Sequence, residues 1–206
     1  MDWLIKGILF DIGGVLVALD GVPSLARLLG VEEDHEALHT LWMTSPAVVA
    51  HETGKIDATA FAAGVVADLR LPITGQAFLQ DFCGWPTGLL PGALELLDEI
   101  PGAYRVSALS NTSAVHWNRV GAMGLADRFS QTYLSYEMGH LKPSAEAFQV
   151  AVDGMNLHPQ EVLFLDDGLR NIEAAKALGM CAHMVRAPEE ARSVLVQYGV
   201  LSNGGA

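Results

Sequence analysis

The feature that most constrains this chain is the run Val162-Leu163-Phe164-Leu165, which ends in two adjacent carboxylates, Asp166 and Asp167. A short unbroken apolar run of this kind reads as a strand buried on both faces, the pattern of parallel sheets covered by helices. A second run, residues 4–10, stops at Asp11 and meets Gly13-Gly14, a tight-turn signal. A third, residues 104–110, stops at Ser110 and Asn111. Shorter strands are expected near 132–134 and 181–185. Helical patterns separate them, at 92–100, at 116–123 with Ser113 as cap, at 144–155 opened by Pro143, at 172–178 ended by Gly179, and at 189–200. Alternating strands and helices imply an α/β protein built on a parallel sheet with helices on both faces.

One stretch breaks the alternation. Residues 21–86 lack strand runs and read as helical, with Asp57 placed to cap a helix over 60–69. Pro86, Gly88, Pro91 and Gly92 then form a breaker-rich joint. The 206 residues suit one compact α/β domain, or one domain carrying a small insertion.

In open parallel sheets ligands bind beyond the carboxyl ends of the strands. Asp11, Ser110, Asn111, Asp166 and Asp167 all fall at such ends, and Lys142 lies in a loop just before a helix. Three carboxylates, an ammonium, a hydroxyl and an amide suit a hard cation and a phosphoryl group. Mg2+ takes oxygen ligands and bridges phosphate, and a carboxylate can attack phosphorus to form an aspartyl-phosphate.

These residues also carry a resemblance. Phe10-Asp11-Ile12-Gly13-Gly14-Val15-Leu16, Leu109-Ser110-Asn111-Thr112, Gly139-His140-Leu141-Lys142-Pro143, and Phe164-Leu165-Asp166-Asp167 followed by Asn171 stand in the order of the four motifs of the haloacid dehalogenase superfamily. The chain resembles its phosphatase-like members, and Glu52-Thr53-Gly54-Lys55-Ile56 resembles their cap sequences. The resemblance implies a Rossmann-like core over residues 1–17 and 88–206 and a small helical cap over 18–87. It implies a Mg2+-dependent hydrolase of a small phosphorylated metabolite. Asp11 would be nucleophile and metal ligand, with the Gly13 carbonyl and Asp167 as further ligands and Asp166 acting through a water. Ile12, Gly13, Ser110, Asn111 and Lys142 would bind the phosphate, with Ser110 and Lys142 also serving catalysis. Most phosphatases of this kind carry an acidic residue where this chain has Gly13. His51 and Glu52 are the candidates to replace it. A metal-independent 2-haloacid dehalogenase and a catalytically weak phosphate binder are the alternatives, and the Asp166-Asp167 pair speaks against the dehalogenase.

Each residue also has a plainer reading. Asp11 and Ser110 could be turn residues, Lys142 a solvated lysine, and Asp166 and Asp167 a helix-capping pair. Adjacent carboxylates repel, so a cation accounts for that pair better. Asn171 is expected to fix its loop, and His116, His183, Trp42, Trp85 and Trp117 to pack.

Twelve Lys and Arg against 24 Asp and Glu give a net charge of −12, which argues against nucleic acid as partner. Cys83 and Cys181 form no C-x-x-C pair and read as reduced buried thiols of a cytoplasmic protein. Residues 1–10 lack the charge pattern of a signal peptide, and no stretch approaches the roughly 20 apolar residues of a membrane span. The end of the chain from Ser202 is expected to fray. Oligomeric state is not encoded in any pattern of the sequence.

Overall fold

The computed structural model describes residues 4–202, so the expectations on residues 1–3 and 203–206 lie outside the described residues. In chain order the elements are β1 (Gly7–Phe10), β2 (Val17–Leu19), α1 (Gly21–Leu29), α2 (His35–Thr44), α3 (Pro46–Glu52), α4 (Ala58–Asp68), α5 (Gly75–Phe82), β3 (Pro86–Leu89), α6 (Ala93–Glu99), β4 (Arg105–Ser110), α7 (Ala114–Gly121), β5 (Gln131–Leu134), α8 (Ser135–Met138), α9 (Ala145–Met155), β6 (Val162–Asp166), α10 (Leu169–Ala177), β7 (Cys181–Met184) and α11 (Pro188–Gln197).

Five strands form one parallel sheet in the order β5-β4-β1-β6-β7. The period-two rule assigns its two faces. Ile8 and Phe10 of β1, Val106 and Ala108 of β4, and Leu163 and Leu165 of β6 share one core with α6, α7 and α11. Leu9, Leu109, Val162 and Phe164 point the other way, into a core completed by α9 and α10. Helices therefore cover both faces, and the central strands are apolar on both sides, as the continuous runs required.

Helices α1–α5 enclose a core of their own, built on Trp42, Phe61, Phe78, Phe82 and Trp85. Trp42 stands 5.0 Å from Trp85 and 6.1 Å from Phe61 by ring centroids, in edge and tilted arrangements that suit aromatic quadrupoles. The expected packing role of Trp42 and Trp85 is met, and Trp117 packs against the sheet core. The chain enters and leaves these helices through β2 and β3, which pair antiparallel as a two-stranded ribbon. Asp57 caps α4, accepting the Ala60 N–H at 2.8 Å.

Three expectations need correction. Pro143 does not sit in the first turn of its helix: Ser144 is the cap of α9, its hydroxyl accepting the Ala147 N–H, and Pro143 precedes it. The first strand begins only at Gly7, and Leu4 is exposed. Cys83 is exposed at the end of α5, whereas Cys181 is buried in β7; both are free thiols. Among the described residues no helix is long and apolar enough to cross a membrane.

Candidate active site

Register brings the site together. β1 lies between β4 and β6, with Phe10 level with both Ala108 and Leu165. Asp11 therefore emerges beside Ser110 on one flank and Asp166 on the other. Its own N–H is held by the Leu165 carbonyl at 2.8 Å. The carboxylates of Asp11, Asp166 and Asp167 present oxygens that all lie within 4.8 Å of one another.

Lys142 is the counter-charge. Its Nζ is buried, 2.8 Å from Asp11 Oδ1 and 2.7 Å from Asp166 Oδ2, and 5.7 Å from the Phe164 ring centroid. This is not the solvated lysine of the plainer reading. Burial alone would pull the ammonium down, but Asp11 and Asp166 outweigh it and hold it above its ordinary value.

One ammonium does not balance three carboxylates. Burial pushes the Asp11 carboxyl up to about 7; Lys142 offsets this in part, while Asp166 and Asp167 add to it. Burial and the neighbouring Asp166 also raise Asp167, with Lys142 opposing them. Three carboxylates converging on a single ammonium are short of positive charge. An all-oxygen donor set with that deficit fits a hard divalent cation such as Mg2+.

The two adjacent aspartates differ. Asp166 is fully buried and accepts from Lys142 Nζ, from the Gly168 N–H at 2.7 Å, and from Asn171 Nδ2 at 2.9 and 3.1 Å. Its oxygens are committed, and Asn171 fixes the loop as expected. Asp167 is exposed at the mouth. Gly14 makes room for it: with φ +72°, it sits in the left-handed region, and a Cβ there would run into the Asp167 carboxylate. Gly13, by contrast, lies outside that region.

The phosphate-binding expectations divide in the same way. The Ile12 N–H donates to Asp11 Oδ1 at 2.7 Å, so it steadies the carboxylate rather than facing an open space. Ser110 ends β4 and is buried. The side-chain amide of Asn111 is occupied at both ends, donating to the Lys142 carbonyl at 2.9 Å and accepting the Lys142 N–H at 2.8 Å. Sequence reasoning missed Ser135, whose hydroxyl donates to the Thr112 carbonyl and accepts the Thr112 N–H, both at 2.9 Å. A lone serine after a strand carries no signal for such a brace.

Of the cap candidates for the missing acid, His51 is turned into the packing of the cap helices. His51 is buried, with Nδ1 3.1 Å from the Ile56 carbonyl and its ring stacked 4.2 Å from Phe61; burial lowers its pKa and keeps it neutral. Burial lifts Glu52 to about 7, the Trp42 indole opposing. What stands beside Gly13 is Leu19, half exposed: a Cβ on Gly13 would meet its Cδ1 at 2.6 Å. His116 bonds the Phe82 carbonyl at 2.7 Å, and His183 bonds the Tyr198 hydroxyl at 2.8 Å, so both hold structure.

A parallel sheet with a carboxylate at the end of its central strand, a buried lysine and an aspartate pair is the arrangement of one hydrolase class, and sequence comparison agrees. The chain belongs to the haloacid dehalogenase-like hydrolases, whose family profile matches residues 5–179. It is 30% identical to a D-ribitol-5-phosphate phosphatase of Bacteroides thetaiotaomicron, over 85% of this chain and 89% of that one. It is 27% identical to an N-acetylmuramic acid 6-phosphate phosphatase of Pseudomonas putida, over 88% and 83%. A haloacid dehalogenase family enzyme of B. thetaiotaomicron, solved with magnesium and inorganic phosphate, superposes with a TM-score of 0.71 at 26% identity, covering 87% of this chain and 93% of that one.

Proposed function

We propose that this protein hydrolyses a small phosphomonoester, a sugar or polyol phosphate, with Mg2+ bound at Asp11, Asp167 and the Gly13 carbonyl. The observation that carries the reading is the convergence of three carboxylates on a buried lysine at the end of the central strand. The substrate class draws support from the two phosphatases to which the chain is similar. When bound, Mg2+ offsets the charge of the phosphate and of the carboxylates around it.

The residues divide the remaining work. Lys142 and Ile12 hold Asp11 Oδ1, which leaves Oδ2 to attack phosphorus and form an aspartyl-phosphate. Ser110 donates its hydroxyl to a phosphate oxygen, and any contact from Asn111 falls to its backbone N–H. Asp166 holds Lys142 and reaches the metal only through water. Helices α1–α5 act as a cap over residues 18–87, closing on the core of 1–17 and 88–206 through the β2–β3 ribbon. The free thiols and the acidic charge fit a cytoplasmic protein without nucleic-acid or membrane partners.

A panel of sugar, polyol and other small phosphate esters, assayed for phosphate release with Mg2+ and with EDTA, tests this. Mg2+-dependent turnover that Asp11→Asn abolishes is the expected result. Turnover that persists in EDTA, or in folded Asp11→Asn, overturns it.

A further inference from the structure

A single buried hydroxyl closes a ring of contacts around the lysine. Thr112 stands between β4 and α7, outside the ladder of one and the turns of the other. The Ser135 hydroxyl serves both of its backbone groups, donating to the carbonyl and accepting the N–H, each at 2.9 Å. Ser135 opens α8 and is fully buried. Its own carbonyl takes the Gly139 N–H at 2.8 Å, at the start of the loop that carries Lys142. Asn111, beside Thr112, clasps Lys142 from the other side. Thr112, Ser135, Gly139, Lys142 and Asn111 thus form a closed ring, from which Lys142 Nζ reaches Asp11 and Asp166. The residue after Ser135 carries the cap. Gly54 ends the turn after α3 at φ +71°, and a Cβ there would run into the Tyr136 carbonyl. Backbone meets backbone at this contact, with no flexible side chain between them to absorb a displacement.

We infer that Ser135 is a positioning residue for Lys142, and that the seat of the cap at Gly54 acts on the reaction through it. The inference rests on the phosphatase reading above. Thr112 is itself buried, so its N–H and carbonyl need a partner from the protein. Without the Ser135 hydroxyl the chain moves to find one, and the movement falls on Asn111 and on the lysine that Asn111 clasps. An ammonium displaced by about 1 Å holds Asp11 Oδ1 poorly, and a misplacement of that size costs about 10² in rate. Asn111 and Ser135 hold the same lysine from two sides. Removing either releases it, and removing both releases it only once. The cap gains its hold in the same way: a shift of the turn after α3 pushes the Tyr136 carbonyl, and Ser135 is the adjoining residue.

The test is a mutant cycle on the Mg2+-loaded enzyme with p-nitrophenyl phosphate, each variant first shown to be folded at the assay temperature by circular dichroism. Ser135→Ala and Asn111→Ala should each lower kcat/KM by about 10²-fold. The double variant should lose little more than either, whereas independent effects would multiply to about 10⁴. If Ser135→Ala does not fold, Ser135→Cys takes its place, with a side chain of similar size and a weaker donor. Gly54→Ala should lower kcat about tenfold in the otherwise wild-type enzyme and less than about twofold in the Ser135→Ala background. Effects that multiply in the double variant, or full kcat/KM in Ser135→Ala, overturn the role of Ser135 and leave the phosphatase reading standing. A Gly54→Ala loss that is equal in both backgrounds, or confined to KM, overturns the action of the cap through Ser135. Absence of Mg2+-dependent nitrophenol release from the folded wild type overturns the phosphatase reading itself, and the inference with it.

Discussion

Asn111 and Lys142 are joined by two hydrogen bonds, the amide of one clasping the backbone N–H and carbonyl of the other at 2.8 and 2.9 Å. The residue after β4 thereby fixes the loop whose ammonium sits between Asp11 and Asp166. Asn111 positions Lys142.

Asn111→Ala should therefore lower kcat/KM by about 10²-fold, the scale of a misplaced catalytic group, through Lys142 rather than through phosphate affinity. Inhibition by inorganic phosphate separates the two roles. A strong loss of phosphate affinity with kcat preserved would show that Asn111 acts mainly on the ligand.

Asp11 supplies a pH test. Its folded carboxyl titrates at about 7 without metal, against an ordinary value of 3.8. The folded state then binds more protons than the unfolded one between these values, so this group lowers the stability of metal-free protein as pH rises through that window. His51 and His116, depressed by burial, act in the opposite direction below about 6.5. The difference between Asp11→Asn and wild type isolates Asp11. Melting temperatures in EDTA should show the variant gaining on wild type from pH 4 upward and levelling off above about 7. A constant difference across that range would mean that Asp11 carries no such cost.

The aspartate pair should separate in two measurements. Asp166→Ala strands the Lys142 ammonium beside Asp11 alone and frees the Gly168 and Asn171 donors, a loss on the scale of about 3–5 kcal/mol for a broken buried pair. Asp167→Ala, exposed, should change stability little and weaken Mg2+ binding more. Thermal melts and Mg2+ titration calorimetry read these independently. Equal effects of the two variants on both would refute the division of labour.

The leaving group should matter strongly. General acid catalysis is worth about 10² to 10⁴ in rate, and no acid stands at Gly13. Aryl phosphates should therefore exceed alkyl phosphates of similar size by a comparable factor in kcat/KM. His51→Ala and Glu52→Gln should leave that dependence as steep. A shallow dependence with chemistry rate-limiting, or one that steepens in either variant, would identify an acid elsewhere in the cap.

The sequence by itself determined the sheet and the ends of its strands. Unbroken apolar runs need two covered faces, and Asp11, Ser110 and Asp166 each stand where such a run stops, because a strand that leaves the sheet meets solvent or ligand. The four motifs also named the residues that meet. Tertiary structure alone decided how they meet. That Asp166 is saturated while Asp167 is exposed depends on Gly168 and Asn171 folding back on one carboxylate, and two adjacent aspartates carry no mark of it. That Asn111 clasps Lys142 depends on a contact across 31 residues of chain. His51 and Glu52 lay in a segment whose helical pattern was plain but whose facing was not, since periodicity gives a helix a buried side without saying which neighbour buries it. Leu19 was invisible for the same reason: only the return of the chain over Gly13 puts an ordinary leucine beside that glycine.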